Sequence, residues 1–227
     1  MPEVVPIYTA AMVRAAEGPR LASGEPLMAR AAAALADIAR SALPAPRNGV
    51  RARVLVLAGR GDNGGDALFA ASQLTDRAEV EVHLTTGVAH REGLAAAVAA
   101  GARVVDLDRV REGGYDLAFD GIVGIGAGAN PGLRDGARDA VAALLPMVRA
   151  GRTMVIAVDV PSGLQPDDGS TADDLVLPAS ITVTFGGVKA GLAVATSLTG
   201  RIVFVDLGLP LVPAAAVGKA SVEVYRA

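Results

Sequence analysis

Apolar and polar positions follow two textures along this chain, with the change near Gly49. Before it, E-P-L-M-A-R-A-A-A-A-L-A-D-I-A-R-S-A-L, Glu25 to Leu43, sets Leu27, Met28, Ala31, Leu35, Ile38 and Leu43 at helical spacing, with Arg30, Asp37 and Arg40 elsewhere. That pattern predicts an amphipathic helix, ended by Pro44 and Pro46. A shorter helix is expected from Tyr8 to Glu17, with Gly18-Pro19 as its break. After Gly49, short apolar runs alternate with helical stretches. Strands are expected at 54–58, 80–86, 103–107, 116–123, 154–160, 181–185 and 202–206, with a short last one at 222–225; helices are expected at 66–77, 91–100 and 133–149. The one long irregular stretch, 161–178, is polar and reads as a surface loop.

Strands that are apolar on both faces and separated by helices belong in a parallel sheet covered on both sides. The fold expected is therefore α/β: a Rossmann-like three-layer α/β/α sandwich with a mostly parallel central sheet. A length of 227 residues suits one such domain, 1–227, with the helices of 1–48 packed on the α/β core.

Composition narrows the chemistry. Apolar residues make up 52% of the chain but aromatic ones only 3%, so Ala, Val and Leu must fill the core. Cysteine is absent, which excludes disulfides, a thiol nucleophile and thiolate metal sites. The two histidines, His83 and His90, match no metal spacing and are expected in structural or surface roles. Twenty-one Lys and Arg against 24 Asp and Glu, a net charge of −3, leave no electrostatic footprint for nucleic acid. Mean hydropathy is +0.41, yet runs such as Leu94 to Ala100 and Met154 to Val158 fall far short of the roughly 20 residues of a spanning helix. The N-terminus carries Pro2 and Pro6 in place of a signal pattern, so no membrane partner and a cytoplasmic location are expected.

Two glycine loops follow strands. In V-L-V-L-A-G-R-G-D-N-G-G-D-A-L, Val54 to Leu68, residues Gly59, Gly61 and Gly64 formally match G-x-G-x-x-G, and Gly65 follows. An ordinary NAD site is disfavoured, because the second strand ends in Leu84-Thr85-Thr86 with no carboxylate for the ribose, and Asp66 occupies the field a pyrophosphate needs. The loop also lacks the G-K-[ST] of an ATP-hydrolysing P-loop, and a plain strand-to-helix turn remains an alternative. The second loop, Gly124 to Gly132, follows the strand that carries Asp120 and is rich in N–H groups able to wrap a phosphate. Asp159 ends another strand in V-I-A-V-D-V-P-S-G-L, with Ser162 just beyond. Either Asp alone reads equally well as a cap or turn former. Together, Asn63, Asp120 and Ser162 supply hard oxygen ligands from three loops, suited to an alkali or alkaline-earth cation. Asp159 remains as the candidate proton-transfer group.

These segments, with D-L-A-F-D-G-I-V-G-I-G, T-V-T-F-G-G-V-K-A-G-L and V-F-V-D-L-G-L-P, resemble the NAD(P)H-hydrate epimerases, the YjeF N-terminal domain family, from about Tyr8 to Pro210. The resemblance implies a Rossmann-like homodimer that interconverts the R and S forms of hydrated NADH or NADPH, a damaged nicotinamide cofactor. It implies that Asp62, Asn63, Gly64, Gly65 and Asp66, together with Gly124, Ile125, Gly126, Ala127, Gly128, Ala129 and Asn130, contact the hydrated dinucleotide. Asp159 would contact it near the reacting carbon as the catalytic group, and Asn63, Asp120 and Ser162 would bind K⁺. It also implies a functional link to a hydrate dehydratase, to which many bacterial relatives are fused. Three positions depart from the family pattern: Asp62 stands for Asn, Ile125 for Thr, and Gln165 for Asp. The second reading is a catalytically weak or inactive relative that binds a nucleotide or a protein through the same cleft.

Overall fold

The computed structural model describes residues 2–46, 49–127 and 131–226. Ten strands form one sheet: β1 (Glu3–Tyr8), β2 (Ala52–Ala58), β3 (Ala78–Leu84), β4 (Arg103–Val104), β5 (Leu117–Gly121), β6 (Met154–Val158), β7 (Ile181–Phe185), β8 (Val188–Lys189), β9 (Arg201–Val205) and β10 (Gly218–Tyr225). Their order is β4-β3-β2-β5-β6-β7-β9-β10-β1-β8, parallel throughout except for the β1–β10 pair. The main helices are α1 (Ala10–Ala22), α2 (Leu27–Ala42), α3 (Asp62–Ser72), α4 (Arg91–Ala99), α5 (Leu107–Glu112) and α6 (Asp135–Arg149), followed by the short α7 (Ala190–Val194) and α8 (Thr196–Thr199).

Strand periodicity sorts the core into layers. Val54, Val56 and Ala58 of β2 face one way, against α2, α3 and α4, whereas Leu55 and Leu57 face α5 and α6. A third cluster joins β1, β8, α7 and β10 through Ile7, Val188, Leu192 and Val222. This is the expected three-layer α/β/α sandwich with a mostly parallel sheet. Among the described residues, no helix is long and apolar enough to cross a membrane.

Several expected boundaries move, each for a local reason. The break at Gly18-Pro19 does not occur: α1 runs on to Ala22 with Pro19 inside it on an exposed position, its carbonyl accepting from Ser23 N–H at 3.1 Å. Upstream, β1 escapes sequence reasoning because Pro6 interrupts it. Only Ile7 and Tyr8 pair with β8, so Pro6 lies where that edge is open and a missing N–H is tolerated. The strand expected at 103–107 shortens to two residues because Asp106 caps α5, accepting from Arg109 N–H at 2.9 Å. The stretch 161–178 is not simply a surface loop. Residues 161–164 are buried, as are Val176 and Leu177, and Leu177 belongs to the α6-side core.

Candidate functional site

The carboxyl ends of β2, β3, β5 and β6 open into one cleft of about 1290 Å³, roofed by α1 and α2. That exceeds the roughly 300–1,000 Å³ of a site for a drug-sized ligand and leaves room for a dinucleotide. Two strand ends meet at its floor through Gly59, whose N–H donates to Gly121 O at 3.0 Å; a Cβ at Gly59 would lie 1.8 Å from the Ile122 carbonyl oxygen. Only glycine permits that approach.

Helix α3 begins at Asp62, four residues earlier than its expected start at Asp66. The first loop is thus short, and D-N-G-G forms the opening turn of the helix, with Asp62 favourable to its dipole. Asp62, Asn63 and Asp66 line the cleft, along with Gly124, Ile125, Gly126 and Asp159. Gly64 and Gly65 lie behind that wall: Gly64 backs onto Gly59, and Gly65 packs against His90 and Met28. Ala127 ends a short 3-10 turn begun at Ile125, while Gly128, Ala129 and Asn130 lie outside the described residues. The Arg14 guanidinium donates to the Ile125 carbonyl and so ties α1 to the second loop. Both histidines have structural partners: His83 Nδ1 lies 3.1 Å from Val105 O, and His90 Nδ1 accepts from Gly93 N–H at the start of α4.

Asp120 and Ser162 meet beneath the cleft. Asp120 is fully buried; its Oδ2 accepts from Ser162 N–H at 2.8 Å, while Oδ1 has no hydrogen-bond partner. Burial pushes its carboxyl above the ordinary range, against hydrogen bonds from Ser162. Ser162 Oγ accepts from Val123 N–H and donates back to Val123 O. Asn63 donates through Nδ2 to Val158 O at 2.5 Å, which leaves its Oδ1 over Gly124, where a Cβ would come within 2.2 Å. An unpartnered carboxylate oxygen, a hydroxyl and an amide oxygen thus stand near the cleft floor, and their hard-oxygen chemistry is of the type an alkali cation takes.

Asp159 sits at φ 69°, in the left-handed region where Asp is among the few tolerated residues. Its backbone N–H donates to Val183 O at 2.7 Å, which holds the bend. The buried carboxylate forms an ion pair with Lys189 and accepts from Thr184 Oγ1 at 3.3 Å. Lys189 is only 1% exposed, and its ammonium also donates to Thr184 Oγ1 at 3.2 Å and Phe185 O at 3.0 Å. Sequence reasoning missed both partners. The usable signal was a lone Lys in the otherwise uncharged run I-T-V-T-F-G-G-V-K-A-G-L, since such a charge is buried only when paired.

The sandwich, its cleft at the carboxyl edge and its acid-lined floor define a Rossmann-like small-molecule site. The profile described as "YjeF-related protein N-terminus" matches residues 24–191, and the chain belongs to that family. A Microbacterium testaceum protein named NAD(P)H-hydrate epimerase is 55% identical over 91% of this chain and 80% of its own length. A Clavibacter michiganensis protein of the same name is 47% identical, over 90% of this chain and 91% of its own. The Mycobacterium tuberculosis bifunctional NAD(P)H-hydrate repair enzyme Nnr is 42% identical, and the match covers 90% of this chain but 42% of that protein. The crystal structure of yeast ynu0 superposes with a TM-score of 0.70 at 17% identity, covering 82% of this chain and 83% of that one, and supports the fold.

Proposed function

We propose that this protein is an NAD(P)H-hydrate epimerase, an isomerase that interconverts the R and S forms of hydrated NADH and NADPH. The observation that carries the reading is the 55% identity to a protein of that name across most of both chains. The cleft supplies compatible chemistry. C6 of the hydrate bears a hydroxyl beside a ring nitrogen, so the epimers exchange when water leaves C6 and returns on the other face. That requires a group able to give and take a proton at the C6 oxygen, and Asp159 is the candidate. Lys189 and Thr184 fix its orientation; the chain has no cysteine, and no histidine is among the described residues that line the cleft.

K⁺ belongs to the same reading, held by Asn63 Oδ1, Asp120 Oδ1 and Ser162 Oγ. It would supply positive charge that knits the first loop to the strand ends and organises the floor on which the substrate rests. The dinucleotide would lie along Asp62, Asn63, Asp66 and Gly124 to Gly126. Pairing of two copies, a functional link to a dehydratase and a cytoplasmic location are part of the proposal, since a cofactor-repair enzyme works where NADH and NADPH are used.

The test incubates the protein with chromatographically separated R and S hydrates of NADH. Accelerated interconversion of both is expected; saturable binding without turnover would instead establish an inactive binding relative.

A further inference from the structure

The cleft lining draws carboxylates from several elements, and one of them keeps a buried oxygen with no hydrogen-bond partner among the described residues. Glu17 comes from α1, Asp62 and Asp66 from α3, and Asp159 from the end of β6. One buried ammonium, that of Lys189, stands near them, and its hydrogen bonds go to Asp159, Thr184 and Phe185. Asp66 is left out. The residue is 8% exposed, its side chain makes no hydrogen bond among the described residues, and Oδ1 is fully buried. An ionised carboxylate there would be an uncompensated buried charge. A protonated one is a carboxylic acid that lines the cleft with its donor unused.

We propose that Asp66 is a second proton-transferring group of the epimerisation, a neutral carboxylic acid that protonates the departing C6 hydroxyl while the Asp159 carboxylate takes the proton of the returning water. The proposal rests on the epimerase reading. Burial, reinforced by the negative charges of Asp159, Asp62 and Glu17, pushes the Asp66 carboxyl well above its ordinary range, with Lys189 a weaker opposing influence. An unpartnered buried carboxyl together with a carboxylate ion-paired to Lys189 forms a natural acid and base pair.

The atoms balance without a co-reactant. The C6–O bond breaks, its electron pair and the Asp66 proton go to the oxygen, and water leaves as the ring-nitrogen lone pair forms a C=N bond. Water then adds to C6 from the other face, the pair returns to nitrogen, and the extra proton passes to Asp159. A solvent-borne proton moves from Asp159 back to Asp66 and resets the site. In the reverse direction the two acids exchange roles.

The experiment compares wild type with Asp66→Asn, which keeps the shape and removes the acid. With separated hydrates, kcat in the variant is expected to fall by about 100-fold or more, the scale of acid–base assistance, with little change in KM. Asp66→Glu should restore part of the rate. Infrared difference spectra of the wild type at neutral pH should show a protonated-carboxyl stretch that Asp66→Asn lacks. A variant that keeps kcat and only raises KM would reduce Asp66 to a binding contact and overturn the proposal. So would absence of the carboxylic acid band, a measurement that does not depend on how the variant folds. If wild type itself fails to scramble the hydrates, the epimerase reading falls; if wild type scrambles them and Asp66→Asn does so as fast, only this inference falls.

Discussion

Two buried acidic sites sit on the same sheet and are handled in opposite ways. In the middle of β3, Glu81 is 2% exposed, and it accepts from Arg103 at 2.8 Å, Arg53 at 3.2 Å, Arg109 Nε at 3.3 Å and the Tyr115 hydroxyl at 2.7 Å. The Arg53 guanidinium also lies over the Tyr115 ring, 4.8 Å from its centroid. Burial and the Glu81 hydrogen bond push the Tyr115 hydroxyl up, so it stays a donor. At the carboxyl edge, by contrast, Asp66 in the first turns of α3 and Asp120 near the end of β5 each keep a buried oxygen with no partner among the described residues. A buried acid that the fold satisfies holds the fold together, and one left short of partners is available to a ligand.

The strongest way to break this contrast is Asp159→Asn. Asn tolerates φ 69° as Asp does, so the bend at the end of β6 survives while proton transfer is lost. A rate loss of about 10²–10⁴-fold in hydrate interconversion is expected, measured with separated epimers at saturating substrate. An unchanged rate would remove Asp159 from the chemistry and return its pairing with Lys189 to the structural class of Glu81.

Next in size is a pair of stability measurements with opposite signs. Glu81→Ala should lower the unfolding free energy by about 3 kcal/mol in urea titrations, the low end for breaking a buried ion pair, because Arg103 is 68% exposed and can return to water. Activity per folded molecule should be unchanged. Asp66→Asn should instead stabilise, increasingly as pH rises. The folded-state pKa of Asp66 is raised, so the wild type's contribution is complete below the unfolded value and is lost as pH climbs through the folded one. The loss is at most about 1.4 kcal/mol per pH unit for one proton, and Asn escapes it. Melting curves from pH 4 to pH 8 therefore diverge upward for the variant; parallel curves would mean that Asp66 titrates normally.

The contrast also marks what the amino-acid pattern made legible. The layers were readable because β2, β5 and β6 are apolar on both faces, and the position of the cleft's acids because Asp120 and Asp159 end such strands beside glycine loops. Lys189 and Glu81 were not readable. Each lies in a strand and is neutralised by residues far along the chain, Asp159 at 30 positions' separation in one case and Arg53 at 28 in the other. The start of α3 was hidden because D-N-G-G looks like loop, yet Gly64 and Gly65 are selected by close packing onto Gly59 and His90. Propensity yields there to tertiary contact.

The smallest effect concerns Asp120. If its unpartnered Oδ1 serves a cation, binding stabilises the folded chain by RT ln(1 + [K⁺]/Kd), about 1.4 kcal/mol at ten times the dissociation constant. Wild type should therefore melt higher in KCl than in NaCl of equal ionic strength. Asp120→Asn should lose that difference while becoming more stable in the absence of K⁺, since burial already raises the pKa of the wild-type carboxyl and Asn carries no charge to bury. A K⁺ effect that survives Asp120→Asn would place the ion elsewhere and leave Asp120 as a carboxylic acid bound to Ser162. It would then belong with Glu81 among the acids that serve the fold.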